Sequence, residues 1–394
     1  MDITIRPGTL RGSVEVIPSK SQAHRALICA AFADGPTRLL CPQTSRDMEA
    51  TAACLRALGA EITHTEAGYL VIPAANVPER ATLPCRDSGS TLRFLLPLVG
   101  ALGVEATFLP EGRLAQRPLS PLWEEMERMG CRLERTREGT ILCAGRLRRG
   151  DYTIDGGVSS QFITGLLLAL SLVPGESRIH ITGTLESKPY LDLTQQTMAT
   201  FGKETKDLRV TGGTPFRSPE VFRVEGDWSN GAFWLAANAL GSQLDVLGLK
   251  TDSRQGDRAA ATLLPKLSQF QIISARDIPD LVPILAIVAA WGGGAEFRDI
   301  HRLRLKESDR VASVIRMVRS LGGTAAATEN TLTVDGTGLM GGTVDAMNDH
   351  RIAMAAAIAA TVCREPVTIL GAQCAEKSYP RFFQEFARLG GIYG

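Results

Sequence analysis

Four ionisable residues crowd the segment Lys306-Glu307-Ser308-Asp309-Arg310, just ahead of the amphipathic run Val311-Ala312-Ser313-Val314-Ile315-Arg316-Met317-Val318. Continued as helix, this spacing predicts Lys306 and Arg310 on one face, with Glu307 beside them. An Arg fork suits carboxylate or phosphate in a bidentate grip, and a Lys supplies a compact point charge. The segment therefore has the chemistry of an anion site with a carboxyl group in reach. A solvated, self-paired helix start has the same composition. Recurrence along the chain separates the two readings.

The elements that would position such groups come in two helix types, each present six times. The first type is almost wholly apolar and opens on polar residues near Ser19, Asp87, Ser159, Asp227, Asp280 and Asn348. A helix apolar all round is a buried one, and Ser, Asp and Asn at its start cap free backbone N–H groups. The second type is amphipathic and closes on Gly59, Gly130, Gly202, Gly322 and Gly390, the usual left-handed C-cap. Its fourth copy, Ala259-Ala260-Ala261-Thr262-Leu263-Leu264-Pro265-Lys266-Leu267-Ser268, lacks the Gly. Short β-rich runs lie between the helices, at 12–17, 69–72, 105–108, 178–182, 208–210, 244–246, 331–334 and 367–370. The expected unit is β-α-β-α-β-β, repeated six times. One repeat cannot bury an all-apolar helix, but three can. The expected α/β fold is thus two similar lobes of three repeats, buried parallel helices inside and sheets around them. Parallel buried helices point their N-termini to one end of each lobe, where the helix dipoles attract anions. Two lobes facing each other would form one anion-collecting cleft.

The helix starts carry the expected groups. The apolar helices supply Lys20, Ser21 and Arg25; Gly89, Ser90 and Arg93; Ser159, Ser160 and Gln161; Asp280; and Asp349, His350 and Arg351. Asp47, Arg113 and Arg117, Ser187 and Tyr190, Asp257, Lys306 to Arg310 and Lys377 precede the amphipathic ones. Cations at helix N-termini oppose the dipole, so a multiply charged anion is the expected partner. The structural readings are a plain N-cap for Ser159, Ser160 or Asp280, a buried structural His350, and a loop aromatic for Tyr190.

Bulk properties narrow the class. The chain has 394 residues, 44% hydrophobic, with a net charge of +1, so no global field points to nucleic acid or membrane. Eight scattered cysteines without a C-x-x-C argue against a zinc site or disulfide framework and fit reduced cytosol. The N-terminus reads as a strand, without an apolar signal core, and no apolar run reaches a membrane span. No P-loop, nucleophile elbow or H-E-x-x-H occurs, and neither do RNA-binding aromatic signatures. Gly336 to Gly341 spells G-x-G-x-x-G, but a strand is expected after it where a dinucleotide site needs a helix.

Taken in order, the motifs resemble those of the 5-enolpyruvylshikimate-3-phosphate synthase family over essentially the full length. They are Ser19-Lys20-Ser21 with Arg25, Ser88-Gly89-Ser90-Thr91 with Arg93, Gln116-Arg117-Pro118, Val158-Ser159-Ser160-Gln161-Phe162 and Ser187-Lys188-Pro189-Tyr190. Ile278-Pro279-Asp280, Lys306 to Arg310, Asn348-Asp349-His350-Arg351 and Lys377-Ser378-Tyr379-Pro380 complete the series. The resemblance implies two lobes, 1–18 with 226–394 and 19–225, and an active site in the cleft between them. It implies a transferase that moves the enolpyruvyl group of phosphoenolpyruvate to the 5-hydroxyl of shikimate 3-phosphate. Lys20, Ser21, Arg25, Ser159, Ser160, Gln161, Ser187, Tyr190, Asp280 and Lys306 would hold shikimate 3-phosphate. Lys20, Gly89, Arg117, Gln161, Arg310, Arg351 and Lys377 would hold phosphoenolpyruvate. Asp280 would be the base and Glu307 the proton donor, with Lys20 assisting. No metal or cofactor is implied, and a cytoplasmic monomer is expected. Asp87 and Arg302 depart from the family, which often has Asn at both. The first adds a carboxylate near phosphoenolpyruvate, the second a cation near shikimate 3-phosphate.

Two rivals remain. The sister transferase acting on UDP-N-acetylglucosamine shares the fold but uses a loop cysteine before its Arg-Pro, and Glu111 to Pro118 contains none. A non-catalytic anion-binding protein of the same fold would bind without turnover, against which Asp280, Glu307 and Lys20 argue.

Overall fold

The computed structural model describes residues 1–394. Contacts divide the chain into two units, Met1–Ile17 with Glu225–Gly394, and Pro18–Val224. Elements are numbered in chain order. The chain opens with β1 (Ile3–Arg6) and β2 (Arg11–Glu15) of the first unit, then enters the second. There it forms α1 (Lys20–Ala31), β3 (Thr37–Leu40), α2 (Arg46–Ala57), β4 (Glu61–Thr65) and β5 (Gly68–Ile72). Next come β6 (Arg80–Arg86), α3 (Gly89–Leu102), β7 (Glu105–Pro110), α4 (Leu122–Arg128), β8 (Cys131–Arg135) and β9 (Ile141–Gly145). This unit ends with β10 (Asp151–Asp155), α5 (Ser160–Leu170), β11 (Gly175–Thr182), α6 (Lys188–Thr200), β12 (Arg209–Gly212) and β13 (Val221–Arg223).

Back in the first unit, α7 (Trp228–Ala239), β14 (Gln243–Leu247), α8 (Ala260–Leu263), β15 (Gln271–Ser274), α9 (Val282–Trp291) and β16 (Ala295–Arg298) follow. The remainder is α10 (Arg310–Ser320), β17 (Thr324–Ala327), β18 (Thr331–Asp335), β19 (Gly342–Asp345), α11 (His350–Ala360), β20 (Val367–Leu370), α12 (Phe382–Arg388) and β21 (Ile392–Tyr393). The strand after Gly341 is β19, so the glycine-rich stretch there opens no helix.

The sheets repeat one plan. The second unit holds β13-β3-β5-β4, β6-β7-β9-β8 and β10-β11-β12; the first holds β15-β16-β18-β17, β19-β20-β1-β21 and β14-β2. In each the first two strands are parallel, and any further neighbours are antiparallel. Parallel neighbours need a crossover. Here α3, α5, α9 and α11 each connect the two strands of one parallel pair. These are the apolar helices of the sequence. Every residue of α11 is buried, and so is all of α9 except Trp291. Each unit has its own hydrophobic core. The mixed α/β fold expected from the repeats is the one found.

Boundaries differ from expectation at several starts. Ser88 caps α3 rather than Asp87, and Asp349 caps α11 rather than Asn348. Helix α9 has no side-chain cap, so Asp280 is not one. The fourth amphipathic helix breaks into two 3₁₀ turns around the four-residue α8, with Pro265 at the start of the second turn. Proline has no N–H to continue an α-helical ladder. The chain then runs directly to β15, which leaves β14-β2 as a two-stranded sheet. The five expected C-cap glycines all have positive φ. No helix is long and apolar enough to cross a membrane.

The tightest helix contact has a local cause. Pro97 lies inside α3 and cannot bond the carbonyl of Arg93. Gly165 of α5 approaches there: a Cβ at 165 would lie 2.4 Å from that carbonyl oxygen and 2.9 Å from Pro97 Cγ. Gly165→Ala should therefore lose about 2 kcal/mol or more, since backbone blocks the added methyl. Gly8→Ala, with open space around it, should stay within about 0.5 kcal/mol. Urea midpoints of the two variants check this.

Candidate active site

In the first unit the charged cluster forms around Arg310. Asp309 caps α10 by accepting the Ala312 N–H, so the helix begins at Arg310. Lys306 ends the 3₁₀ turn His301–Leu305 in extended backbone. The pair is therefore not on one helical face, as the spacing had predicted, yet both side chains reach the same carboxylate. Lys306 Nζ donates to Asp280 Oδ1 at 3.3 Å and Arg310 Nη1 to the same oxygen at 2.5 Å. Arg351 Nη2 donates to Asp280 Oδ2 at 3.3 Å. Arg310 also donates through Nη2 to Glu307 Oε2 at 2.7 Å and through Nε to Asp349 Oδ2 at 2.9 Å. Ser308 Oγ donates to that Asp349 oxygen at 3.0 Å. The Arg310 side chain is 1% exposed and Asp349 0%, whereas Asp280 and Glu307 keep 19% and 20%. One edge of the cluster is thus open to a ligand. Lys377 closes a 3₁₀ turn that packs against α11, and is itself buried.

The protonation states follow from these neighbours. Burial would raise the Asp280 carboxyl, but Arg351, Lys306 and Arg310 overcome it and hold the group well below the usual carboxylate range. Burial lowers the Lys306 ammonium to about 8, with Asp280 pulling the other way and Arg310 and Arg302 adding to the drop. Burial also works against the Arg310 charge, and Asp349, Glu307 and Asp280 more than restore it. Arg310 thus holds three carboxylates of its own chain.

The second unit gathers the remaining candidates at the starts of α1, α3, α5 and α6. Lys20, first in α1, donates to Asp47 Oδ2 at 2.9 Å. Arg25, one turn later, is buried and ties helices together. Its Nε reaches Thr194 Oγ1 at 2.8 Å, Nη1 the Ser21 carbonyl at 2.5 Å and Nη2 the Tyr190 carbonyl at 3.1 Å. Burial pushes its pKa down to about 10. At α3, a Cβ on Gly89 would lie 2.9 Å from Arg117 Nη1 and 3.0 Å from Arg93 Nη1, so glycine lets two guanidinium groups approach the helix start. Arg93 Nη1 donates to Gln161 Oε1 at 2.8 Å, and Gln161 Nε2 donates to Ser90 Oγ at 3.0 Å. The Gln161 amide is thus fixed from both ends. Ser159 caps α5 through the Gln161 N–H, and Ser160 follows it. Ser187 adopts φ 55° ahead of α6 without capping it through its side chain. Such backbone strain in a non-glycine residue concentrates at functional sites.

Of the sequence-derived candidates, Asp280, Lys306, Glu307, Arg310 and Arg351 share one network, and Gly89, Arg117 and Gln161 share another through Arg93. Ser21, Arg25 and Tyr190 form a third group. What the sequence reading lacked were the supporting groups Thr164 and Thr194, which accept from Arg25, and the Asp47 partner of Lys20. Asp47 was visible as a helix start, but nothing in spacing pairs residues 27 positions apart.

Residues 5–386 match the family model for EPSP synthase (3-phosphoshikimate 1-carboxyvinyltransferase). The chain is 38% identical to the 3-phosphoshikimate 1-carboxyvinyltransferase of Clostridium kluyveri, across 99% of this chain and 97% of the relative. It is 37% identical to that of Clostridium novyi, across 99% and 98%. Among solved structures, an EPSP synthase from Acinetobacter baumannii superposes with a TM-score of 0.81 at 22% identity, covering 100% and 99% of the two chains. The enolpyruvyl transferase NikO from Streptomyces tendae gives 0.76 at 19%, covering 100% and 98%. These two show the fold. The match along nearly the whole sequence, together with full-length relatives at this identity, places the chain in the EPSP synthase (3-phosphoshikimate 1-carboxyvinyltransferase) family.

Proposed function

We propose that this chain transfers the enolpyruvyl group of phosphoenolpyruvate to the 5-hydroxyl of shikimate 3-phosphate, releasing phosphate. The observation that carries the reading is the Asp280 carboxylate held by Lys306, Arg310 and Arg351, with Glu307 on the same Arg310. Lys20, Ser21, Arg25, Ser159, Ser160, Gln161, Ser187, Tyr190, Asp280 and Lys306 take shikimate 3-phosphate. Arg25 acts mainly by holding the Ser21 and Tyr190 backbone, where its donors are already engaged. Lys20, Gly89, Arg117, Gln161, Arg310, Arg351 and Lys377 take phosphoenolpyruvate. Both substrates are small anions. We place the enzyme in the cytoplasm, as a monomer, where its eight buried free thiols suit a reducing environment.

In the addition step the 5-hydroxyl oxygen bonds to C2 of phosphoenolpyruvate, its proton passes to Asp280, and Glu307 gives a proton to the methylene carbon. In the elimination step the bond from the ketal carbon to the phosphate oxygen breaks, a methyl proton returns to Glu307, and the proton held by Asp280 leaves with the phosphate. A carboxylate held as low as Asp280 is a weak base in the free enzyme. An anion that binds Lys306, Arg310 and Arg351 competes for the charges that hold it down. Substrate binding thus raises the basicity of Asp280 and eases protonation of Glu307. Lys20, the first residue of α1, assists.

The deciding measurement is phosphate release from phosphoenolpyruvate, with shikimate 3-phosphate and separately with UDP-N-acetylglucosamine. Release only with shikimate 3-phosphate is expected. Release only with the nucleotide sugar transfers the chain to the sister activity, and none from folded protein leaves an anion-binding protein. Asp280→Asn and Glu307→Gln should each lower turnover by about 10²–10⁴-fold while the circular dichroism spectrum is kept. Near-full turnover in either would remove that residue from its role. The pH profile tests Lys306. Its charged form dominates below pH 8 and is lost as pH rises through that value. Hence kcat/KM for shikimate 3-phosphate should fall above pH 8. Arg stays charged throughout this range, so Lys306→Arg should lack that limb whatever its absolute rate. An unchanged limb would assign it to another group.

A further inference from the structure

Asp257 lies in the 3₁₀ turn Gly256–Ala259 and is 2% exposed. Its Oδ2 accepts the hydroxyl of Ser229, in the first turn of α7. Its Oδ1 is buried without a hydrogen-bond partner. An orphaned carboxylate oxygen in a packed interior is costly, and a fold that keeps one calls for an explanation. The neighbours supply it. The Ser229 carbonyl accepts Nη1 of Arg351 at 3.5 Å, and Nη2 of the same guanidinium reaches Asp280. A continuous path therefore runs from the turn at 257, through α7 and α11, to the carboxylate placed above as the base.

The charged groups acting on Asp257 are Asp227, the cap of α7, Asp280 ahead of α9 and Arg351 on α11. Burial pushes the Asp257 carboxyl up and Asp280 adds to this, while Arg351 and the Ser229 hydroxyl pull it down, leaving it at about 7. Arg351 is thus flanked by two acids in opposite settings, Asp280 held ionised and Asp257 poised near neutrality. Such pairs are a recurrent way of dividing proton roles in a site.

We propose that Asp257 is a positioning residue that acts through Ser229 on Arg351, and through Arg351 on Asp280. The inference rests on the function assigned in the preceding section. An anion bound to Arg351 offsets the positive charge that favours ionised Asp257, so Asp257 takes up a proton as phosphoenolpyruvate arrives. The charge attraction between the guanidinium and the inner acid is then lost, and its charge serves the ligand and Asp280. No atom of Asp257 needs to touch substrate.

Asp257→Asn keeps an acceptor for Ser229 and removes the titration. It should lower KM for phosphoenolpyruvate about tenfold at pH 8, where the parent must first take up the proton that the amide no longer needs. KM for shikimate 3-phosphate should be unchanged, and a pH step near 7 in kcat/KM for phosphoenolpyruvate should vanish. Ser229→Ala, which breaks the path at its middle, should reproduce the KM effect. A second readout does not depend on turnover. In protein carrying ¹³C at the aspartate carboxyls, the resonance missing from Asp257→Asn should titrate near pH 7, and should titrate higher in Arg351→Gln. Parent-like KM and pH profile in Asp257→Asn, or an Asp257 titration indifferent to Arg351→Gln, would overturn the proposal. A parent protein that shows the coupled titration but no turnover would keep the coupling and remove the assigned function instead.

Discussion

Arg310 is the residue on which the first unit's chemistry turns. Its guanidinium is buried and forked across three carboxylates from three segments: Asp280 before α9, Glu307 before α10 and Asp349 at the start of α11. A buried ion costs several kcal/mol to desolvate, and only close, well-oriented partners return that cost. Removing one partner from such a set leaves a buried charge and typically costs about 3–5 kcal/mol. The arrangement therefore fixes the relative positions of two buried helix starts and the loop between them. It also places Asp280 and Glu307 on the same cation with their outer oxygens partly open.

The sheet plan explains why these segments meet. Each parallel strand pair forces a crossover, and each crossover helix is apolar enough to fill a core. Helix starts then fall at the C-terminal ends of strands, where loops are free to vary. Polar residues at those starts meet backbone N–H groups that no helical carbonyl satisfies. Five of the six buried helices use Ser or Asp with the donor two or three residues on, at Ser19, Ser88, Ser159, Asp227 and Asp349. Helix α9 does without such a cap. Its preceding carboxylate, Asp280, is spent on cations instead, which marks it as a residue kept for charge rather than for helix stability.

Much of this was legible in the residues. The all-apolar runs gave the buried helices because no amphipathic pattern competes with burial over their length. The glycines gave the ends of the amphipathic helices because only a residue tolerant of positive φ fits there. Two features were not legible. The fourth amphipathic stretch kept a helical composition, but Pro265 breaks its backbone bonding, so composition and geometry part. Asp47 on Lys20, Thr194 and Tyr190 on Arg25, and Asp280 and Asp349 on Arg310 come from distant segments, and spacing along one helix says nothing about them. The periodicity argument put Lys306 and Arg310 on one face for a wrong reason. They converge because Asp280 attracts both, across 26 and 30 positions of sequence.

The charge balance of the first unit then bears on how a low-pKa carboxylate can act as a base. Lys306, Arg310 and Arg351 face Asp280, Glu307 and Asp349, so the resting cluster is close to neutral without any ligand. An arriving dianion makes it negative unless protons enter. Asp280 and Glu307 are the carboxylates at the open edge. Asp257 is the acid behind Arg351 that is already poised near neutrality. Under the proposed roles, a proton taken up at Asp257 would let Arg351 turn its charge towards the ligand while Asp280, the proposed base, stays ionised. A cluster with three cations and only Asp280, Glu307 and the buried Asp349 would have to take that proton on Asp280 or Glu307. Protonating Asp280 would silence the base. The buried fourth acid removes that conflict, which gives a physical reason for keeping a carboxylate where one of its oxygens has no partner.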